Sequence, residues 1–266
     1  MRSLLSVVLV LLLILLGVGL FGLLRGKPET EQPVEPVVET VEPEASKEPI
    51  EAEVTAEPVE EEPQIDPSVF TDTDSFLIVA NKKHKLPDGY VPADLVEPDI
   101  ATTQHCTMRA PAAEAIAQMA QAAAAEGITL KISSAYRGED YQRSLYNNYS
   151  ASYGSETADT ISSRPGYSDH QTGLAADFVE QDGSMNGINF NENFETTDSG
   201  IWLRNHAHEY GFIMRYPKGK QDITGYAYEP WHYRYIGVEY ATEIYNVDEF
   251  YTFEEYFGVE GGDYAD

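Results

Sequence analysis

The sequence predicts an α+β domain with a small, mostly antiparallel sheet and flanking helices, preceded by a transmembrane helix and a disordered linker. Three observations support this prediction: an uncharged apolar run at residues 4–24, a Pro- and Glu-rich tract at residues 28–66, and helical patterns that precede short alternating segments farther on. We therefore divide the chain into an N-terminal segment (residues 1–27), a linker (28–67) and a folded domain (68–266).

The apolar run contains no charged residue. A helix of about 20 apolar residues crosses the ~30 Å hydrocarbon layer of a bilayer, whereas the apolar core of a cleaved signal peptide has only about 7–15 residues. No small-x-small cleavage site follows cleanly, so we expect a retained signal anchor rather than a cleaved leader. The flanking charges, Arg2 on one side and Arg25 and Lys27 on the other, specify the topology only weakly.

The tract from Pro28 to Asp66 carries 14 acidic residues and one lysine. It has few large apolar groups, so it cannot bury enough surface to offset its ordering entropy, and we expect it to be disordered. The whole chain has a net charge of −28, and its remainder is acidic as well, which argues against nucleic acid as a partner. The single cysteine, Cys106, excludes an internal disulfide.

Helical periodicity is clearest in the alanine-rich residues 110–126, which stop at Gly127, a residue type typical of the position after a helix. Residues 201–210 stop in the same way at Gly211. Further helices are predicted at residues 140–149, 238–245 and 253–257.

Alternation and β-branched residues predict a strand at residues 128–134. Residues 76–81 favour a short strand or an extended entry, and residues 86–92 carry the Pro and Gly chemistry of turns. Further strands are predicted at residues 174–179 and 231–236. Because long irregular connections separate these short strands, an antiparallel arrangement is favoured over a parallel one.

Two short motifs carry the residue types of a zinc hydrolase. His170 and Asp177 lie in the first motif, and Glu229 and His232 lie in the second. Two imidazoles and one carboxylate are ligands that suit catalytic zinc, and a spare carboxylate could handle the proton of a water molecule. The spacings alone leave open a simple hydrogen-bonding partnership between a histidine and an aspartate.

Local geometry adds a condition to each motif. Residues three apart in a regular strand point to opposite faces, so Glu229 and His232 can face one metal only if the backbone near Pro230 is irregular. The odd separation of His170 and Asp177 likewise requires a turn at residues 172–173 rather than continuous strand.

Residues 168–177 match the Ser-x-His-x-x-Gly-x-Ala-x-Asp signature of VanY-type D-alanyl-D-alanine carboxypeptidases, and residues 229–232 match their Glu-x-Trp-His signature. The resemblance covers roughly residues 76–257. It continues through residues 81–82, 86–87, 90–92, 134–137, 141–142, 210–212 and 215–220. The chain thus resembles zinc peptidases of α+β fold that trim the C-terminal residue of peptidoglycan stem peptides.

The resemblance implies that His170, Asp177 and His232 are the ligands of one Zn²⁺ ion. It implies that Glu229 is the general base that takes a proton from the attacking water and hands it to the leaving amine. The alternative for Glu229 is a carboxylate that orients a ligand histidine. Loss of turnover with retained zinc in an alanine variant would separate the two roles.

The resemblance also implies a set of substrate-binding residues. Arg137 would pair with the terminal carboxylate of the substrate or with the reaction oxyanion, and its alternative is a surface salt bridge. Gln142 and Ser168 would be polar partners of the substrate. Trp231 would pack beside the zinc, its alternative being an ordinary core residue.

The expected function is therefore a DD- or LD-carboxypeptidase, and the signatures do not separate the two because both share the zinc chemistry. The alternatives are a peptidoglycan endopeptidase and a wall-binding module that kept the fold without turnover. We expect a monomer anchored in the cell membrane by a single N-terminal helix. The expected chemistry, rather than the charge count, places the catalytic domain outside the cytoplasm, facing the cell wall.

Overall fold

The computed structural model describes residues 65–180, 190 and 192–265. The predicted anchor and almost all of the predicted linker lie outside these residues. Among the described residues, no helix combines the length and the apolar character needed to cross a bilayer.

The strands of the described residues are β1 (Leu95–Val96), β2 (Ala101–Thr102), β3 (Met108–Arg109), β4 (Lys131–Ser134), β5 (Ala175–Val179), β6 (Phe212–Met214) and β7 (His232–Tyr235). Five of them form the main sheet, in the order β2-β4-β5-β7-β6. Three of its four pairings are antiparallel, and only β2 and β4 run parallel. A separate two-stranded antiparallel sheet joins β1 and β3.

Seven α-helices flank the strands within the described ranges. They are α1 (Ala110–Ala125), α2 (Glu139–Tyr153), α3 (Ser155–Ile161), α4 (Asp198–His206), α5 (Gln221–Thr224), α6 (Val238–Val247) and α7 (Phe253–Phe257). Short 3₁₀ helices occupy Pro67–Phe70, Asp169–Thr172, Glu192–Thr196 and Ala207–Tyr210. The predicted α+β class, with its small and mostly antiparallel sheet, is confirmed.

Several element boundaries differ from the predictions for local reasons. The predicted strand at residues 128–134 starts only at Lys131, because the amide of Ile128 bonds the carbonyl of Ala123 at 2.9 Å and so closes the end of α1. Residues 76–81 form no strand, because Phe76 and Leu77 lie in a turn and Asn81 makes only an isolated bridge with His84. Strand β6 and helix α3 are unpredicted, since three and seven residues are too short to show a period.

The hydrophobic core lies between α1 and the main sheet. Ile116 and Met119 of α1 are fully buried in one cluster with Ile132 of β4 and Phe178 of β5. Burial of each such side chain contributes about 1.5–3 kcal/mol. A second cluster packs α6 and α7 against the opposite side of β6. The two cores fix β5 and β7 as neighbouring inner strands, which is what positions the site.

Candidate metal centre and active-site cleft

Two neighbouring strands hold the first two site residues face to face. Asp177 on β5 pairs directly with His232 on β7 in the antiparallel register. Directly opposed residues of an antiparallel pair project from the same face with Cβ atoms about 4.5–5.5 Å apart. The sheet therefore brings a carboxylate and an imidazole together although 55 residues of chain separate them.

The third residue, His170, comes from the tight turn that leads into β5. The 3₁₀ helix Asp169–Thr172 ends at Gly173, whose φ of +71° lies in the left-handed region. A Cβ at Gly173 would meet the side chains of Arg109, Leu95 and Pro92 at 3.1–3.2 Å, so both the conformation and the space favour glycine. This turn provides the break between His170 and Asp177 that the sequence required.

Glu229 reaches the same cluster because the second motif also forms a turn. The amide of His232 bonds the carbonyl of Glu229 at 3.1 Å, and β7 begins only at His232. The backbone at Pro230 is therefore irregular, as expected. Glu229 Oε2 lies 3.4 Å from His232 Nδ1, and the Glu229 side chain remains 16% exposed.

The donor atoms of His170, Asp177 and His232 converge within 4.8 Å of one another. His170 Nε2 lies 3.1 Å from Asp177 Oδ2, and His232 Nδ1 lies 3.1 Å from Asp177 Oδ1. Ligand atoms at ~2.0–2.2 Å from a tetrahedral zinc lie roughly 3.3 Å apart, so the spacing suits such an ion. Asp177 Oδ1 is also buried without an aligned hydrogen bond from any described residue.

The outer nitrogen of each histidine is held by an acceptor. His170 Nδ1 donates to the carbonyl of Ala135 at 2.7 Å, and His232 Nε2 donates to Asp169 Oδ2 at 3.1 Å. Each bond fixes a tautomer in which the inner nitrogen presents a lone pair to the centre of the cluster. Two lone pairs and a carboxylate directed at one point form a site for a cation, and the three residues therefore fit a zinc ion.

Asp169 and Arg234 are buried beside the cluster, and the sequence analysis assigned no role to either. The Arg234 guanidinium bonds Asp169 Oδ1, while Asp169 Oδ2 receives the bond from His232. Burial opposes ionisation of Asp169, yet Arg234 and His232 hold its pKa well below its usual range. A usable signal existed, since Arg234 lies two residues after His232 on one strand and so on the same face.

The pKa directions within the cluster follow from burial and charge. Burial lowers the pKa of His170, which favours the neutral imidazole that a metal needs. Burial opposes the charged form of Asp177, but His170 and His232 hold its pKa well below the usual range. Burial also opposes the charged form of His232, but its bonds to Asp169, Asp177 and Glu229 raise its pKa. Burial raises the pKa of Glu229 and brings it toward the range of a general base.

The cluster lies in a cleft of about 350 Å³. Arg137, which follows β4, lines this cleft with a side chain that is 21% exposed. Its Nη1 bonds Ser134 Oγ at 3.1 Å and lies 3.5 Å from Asp177 Oδ2. Its Nε is buried and has no partner within the described part of the chain. The guanidinium can therefore still donate to an anion bound in the cleft.

The remaining predicted residues fall at different depths. Ser168 is buried in the cleft wall, and Trp231 is half-buried there, stacked on Phe190 with ring centroids 5.3 Å apart. Gln142 is buried behind the wall, where its Nε2 donates to Ser162 Oγ at 3.1 Å and to the carbonyl of Ser163 at 2.8 Å. Gln142 thus holds a cleft-lining loop.

Comparisons with known proteins agree with this site. Residues 105–238 match the family described as VanY, D-alanyl-D-alanine carboxypeptidase. The YodJ protein of Bacillus subtilis is 42% identical over 189 residues, which are 69% of this chain and 67% of that protein.

Solved structures of carboxypeptidases are also similar to this chain. The chain is similar to the LD-carboxypeptidase LdcB, with a TM-score of 0.63 and 41% identity over 70% of this chain and 87% of that chain. It is also similar to a mutant of the vancomycin-resistance D,D-pentapeptidase VanY in complex with Zn(II). There the TM-score is 0.56 and the identity 30%, over 67% of this chain and 97% of that chain.

Proposed function

The chain belongs to the VanY family of D-alanyl-D-alanine carboxypeptidases. We propose that it is a zinc-dependent carboxypeptidase that removes the C-terminal D-alanine from peptidoglycan stem peptides. The observation that carries the proposal is the convergence of two imidazoles and a carboxylate in a cleft that also contains a partly exposed carboxylate and a guanidinium with a free donor.

In this proposal His170, Asp177 and His232 hold the ion. A zinc ion held by these three residues would supply Lewis-acid chemistry, making a water more acidic and polarising the scissile carbonyl. The protein contributes a rigid donor set, because each histidine is oriented by its outer nitrogen and Asp177 by its place on an inner strand.

Glu229 moves the proton. It accepts a proton from the attacking water and passes it to the leaving amine, a role supported by its raised pKa and by its position 3.4 Å from His232. Replacement Glu229→Gln keeps the size of the side chain, so we expect zinc to stay bound while kcat falls by about 10²–10⁴-fold. Unchanged kcat would exclude the general base, and loss of zinc together with kcat would indicate an orienting role instead.

Arg137 recognises the substrate. A planar guanidinium pairs well with a terminal carboxylate or stabilises the negative oxygen that develops at the scissile carbonyl. Its buried Nε and its position beside Asp177 support both roles. Ser168 and Trp231 contribute further contacts from the cleft wall, and Gln142 acts by holding the Ser162 and Ser163 loop in place.

Among the two peptide-length specificities, LD-cleavage of a tetrapeptide stem has the stronger support. The identity to the LD-carboxypeptidase LdcB is 41%, compared with 30% to the D,D-pentapeptidase. The DD-carboxypeptidase remains the second candidate, since the family itself is described by that activity.

Only the amino-acid sequence supports the proposed location of the protein at the cell membrane. In this part of the proposal, residues 4–24 form a membrane anchor and residues 28–67 a disordered acidic spacer. A monomeric catalytic domain, residues 68–266, then acts on the wall from outside the membrane.

Mass spectrometry of purified tetrapeptide and pentapeptide muropeptides tests the function. We expect the loss of one alanine from the tetrapeptide, abolished by a chelator and restored by zinc. Loss from the pentapeptide alone would indicate DD-cleavage, and cutting of cross-linked dimers would indicate an endopeptidase. Bound zinc without any product would leave a wall-binding module.

A further inference from the structure

Exposed apolar side chains cluster on one rim of the cleft. Within the described ranges, Tyr149 is 38% exposed, Tyr153 61% and Ile161 42%, and all three line the cleft. Leu145, one helical turn before Tyr149, lines it as well. Large exposed hydrophobic groups gathered in one place, rather than scattered singly, indicate a binding surface.

Contacts between side chains hold this rim in place. Tyr149 and Tyr153 lie four residues apart on α2 and so share a face, with ring centroids 6.4 Å apart and planes inclined by 24°. On the same helix, Tyr146 donates its hydroxyl to Asp159 Oδ1 of α3 at 2.9 Å, which ties the two helices together. The planes of the two rings are therefore nearly parallel, and both rings stand on a fixed support; we call this pair of tyrosines the shelf.

The shelf and the metal cluster lie toward opposite ends of α2. Arg137 precedes the helix by two residues, whereas Tyr149 and Tyr153 belong to its last turns. At 1.5 Å per residue, the Cα atoms of the two tyrosines lie about 15–21 Å along the helix from its start at Glu139. An extended tetrapeptide spans at most about 13–14 Å. A stem whose C-terminus is at Arg137 would therefore end before the shelf, and whatever is attached to its amino end would lie on the shelf.

The chemistry of the shelf fits a sugar. The two tyrosines of the shelf and their neighbours Leu145 and Ile161 carry no charge, whereas the end of the cleft that contains the proposed metal ligands is lined by ionisable groups. A pyranose ring presents a face of C–H groups edged by hydroxyls, and tyrosine offers an apolar ring with a polar tip. In peptidoglycan the amino end of the stem peptide is attached to an N-acetylated amino sugar.

We propose that Tyr149 and Tyr153 form a subsite for the N-acetylated amino sugar that carries the stem peptide. The inference rests on the proposed carboxypeptidase function. It implies that the enzyme prefers stem peptides that are attached to the glycan over free peptides.

The test compares a disaccharide-tetrapeptide with the same tetrapeptide without sugar. Wild type should have a KM about tenfold lower for the sugar-bearing substrate. Combined Tyr149→Ala and Tyr153→Ala replacement should abolish this preference through KM, with kcat and the activity on the free tetrapeptide unchanged. Combined replacement by Phe should keep most of the preference because the rings remain. The control Tyr141→Ala removes a tyrosine that is 56% exposed on the same helix outside the cleft wall, and it should behave as wild type.

The subsite is overturned if wild type shows no preference, if the double alanine variant loses both substrates equally, or if Tyr141→Ala has the same effect. Calorimetric binding of the two ligands to the Glu229→Gln protein separates this proposal from the activity. Sugar-dependent binding that is lost when Tyr149 and Tyr153 are replaced would sustain the subsite. If the zinc-loaded wild-type protein then cleaved neither ligand, the subsite would stand and the carboxypeptidase function would be rejected.

Discussion

Two buried carboxylate–guanidinium pairs lie near β7 and use the same chemistry for different ends. Glu254 and Arg215 form a closed pair, with Nη1 and Nη2 donating to the two carboxylate oxygens at 2.8 and 2.6 Å. Asp169 and Arg234 form a split pair, in which one carboxylate oxygen binds Arg234 and the other binds His232. The closed pair holds α7 against the sheet, whereas in the split pair the charged carboxylate of Asp169 also accepts a bond from His232, a proposed metal ligand.

Burial alone does not distinguish an ion pair that stabilises the fold from one that orients a proposed metal ligand. All four side chains are at most 2% exposed. The distinguishing feature is where the second oxygen of the carboxylate goes. When the second carboxylate oxygen also bonds the guanidinium, the pair stabilises the fold. When that oxygen accepts a bond from an imidazole, it fixes the tautomer of that ring.

The largest expected effect comes from opening the closed pair. Replacement Glu254→Gln leaves Arg215 buried without a counter-charge, so the free energy of unfolding in urea should fall by about 3–5 kcal/mol. Zinc affinity of the folded protein should not change. The matched control replaces both partners, Arg215→Met with Glu254→Leu, and should restore most of the stability. A change in zinc affinity in either variant would erase the distinction between the two pairs.

Breaking the split pair should act on the metal. Replacement Asp169→Asn removes the charged acceptor of His232 Nε2, and zinc affinity should fall about 10–100-fold by competition with a chelating dye. The measurement is made at a temperature at which circular dichroism shows the variant folded, because Arg234 also loses its partner. Undiminished zinc affinity would mean that Asp169 is purely structural.

A smaller effect follows from pH. The pKa of Asp169 in the folded protein lies below its unfolded value. Its ionised form therefore stabilises the metal-free fold above about pH 4, and this contribution is lost as the pH falls toward the folded-state pKa. The stability difference between wild type and Asp169→Asn should shrink as the pH falls from about 5 to about 3, by at most ~1.4 kcal/mol per pH unit for the one proton involved. A constant difference in urea titrations would show that the carboxylate of Asp169 has an ordinary pKa in the fold.

The sequence predicted the fold class and the motif geometry better than the supporting contacts. Pro230 and Gly173 signalled the two irregular turns, because a proline cannot join a sheet ladder and a glycine accepts positive φ. Short elements such as β6 and α3 left no periodic signal. Arg234 is paired with Asp169 across 65 residues of chain, a contact that only the tertiary fold creates. The roles of the proposed ligands, of Glu229 and of the substrate-binding residues stay predictions.

The most direct test of the central claim is the zinc content of the purified protein and its variants by inductively coupled plasma mass spectrometry. We expect one zinc per chain in wild type and in Glu229→Gln, and none in Asp177→Ala, with near-ultraviolet circular dichroism confirming that each variant is folded. A folded Asp177→Ala protein that keeps its full zinc, or a wild-type protein that never takes up zinc, would contradict it.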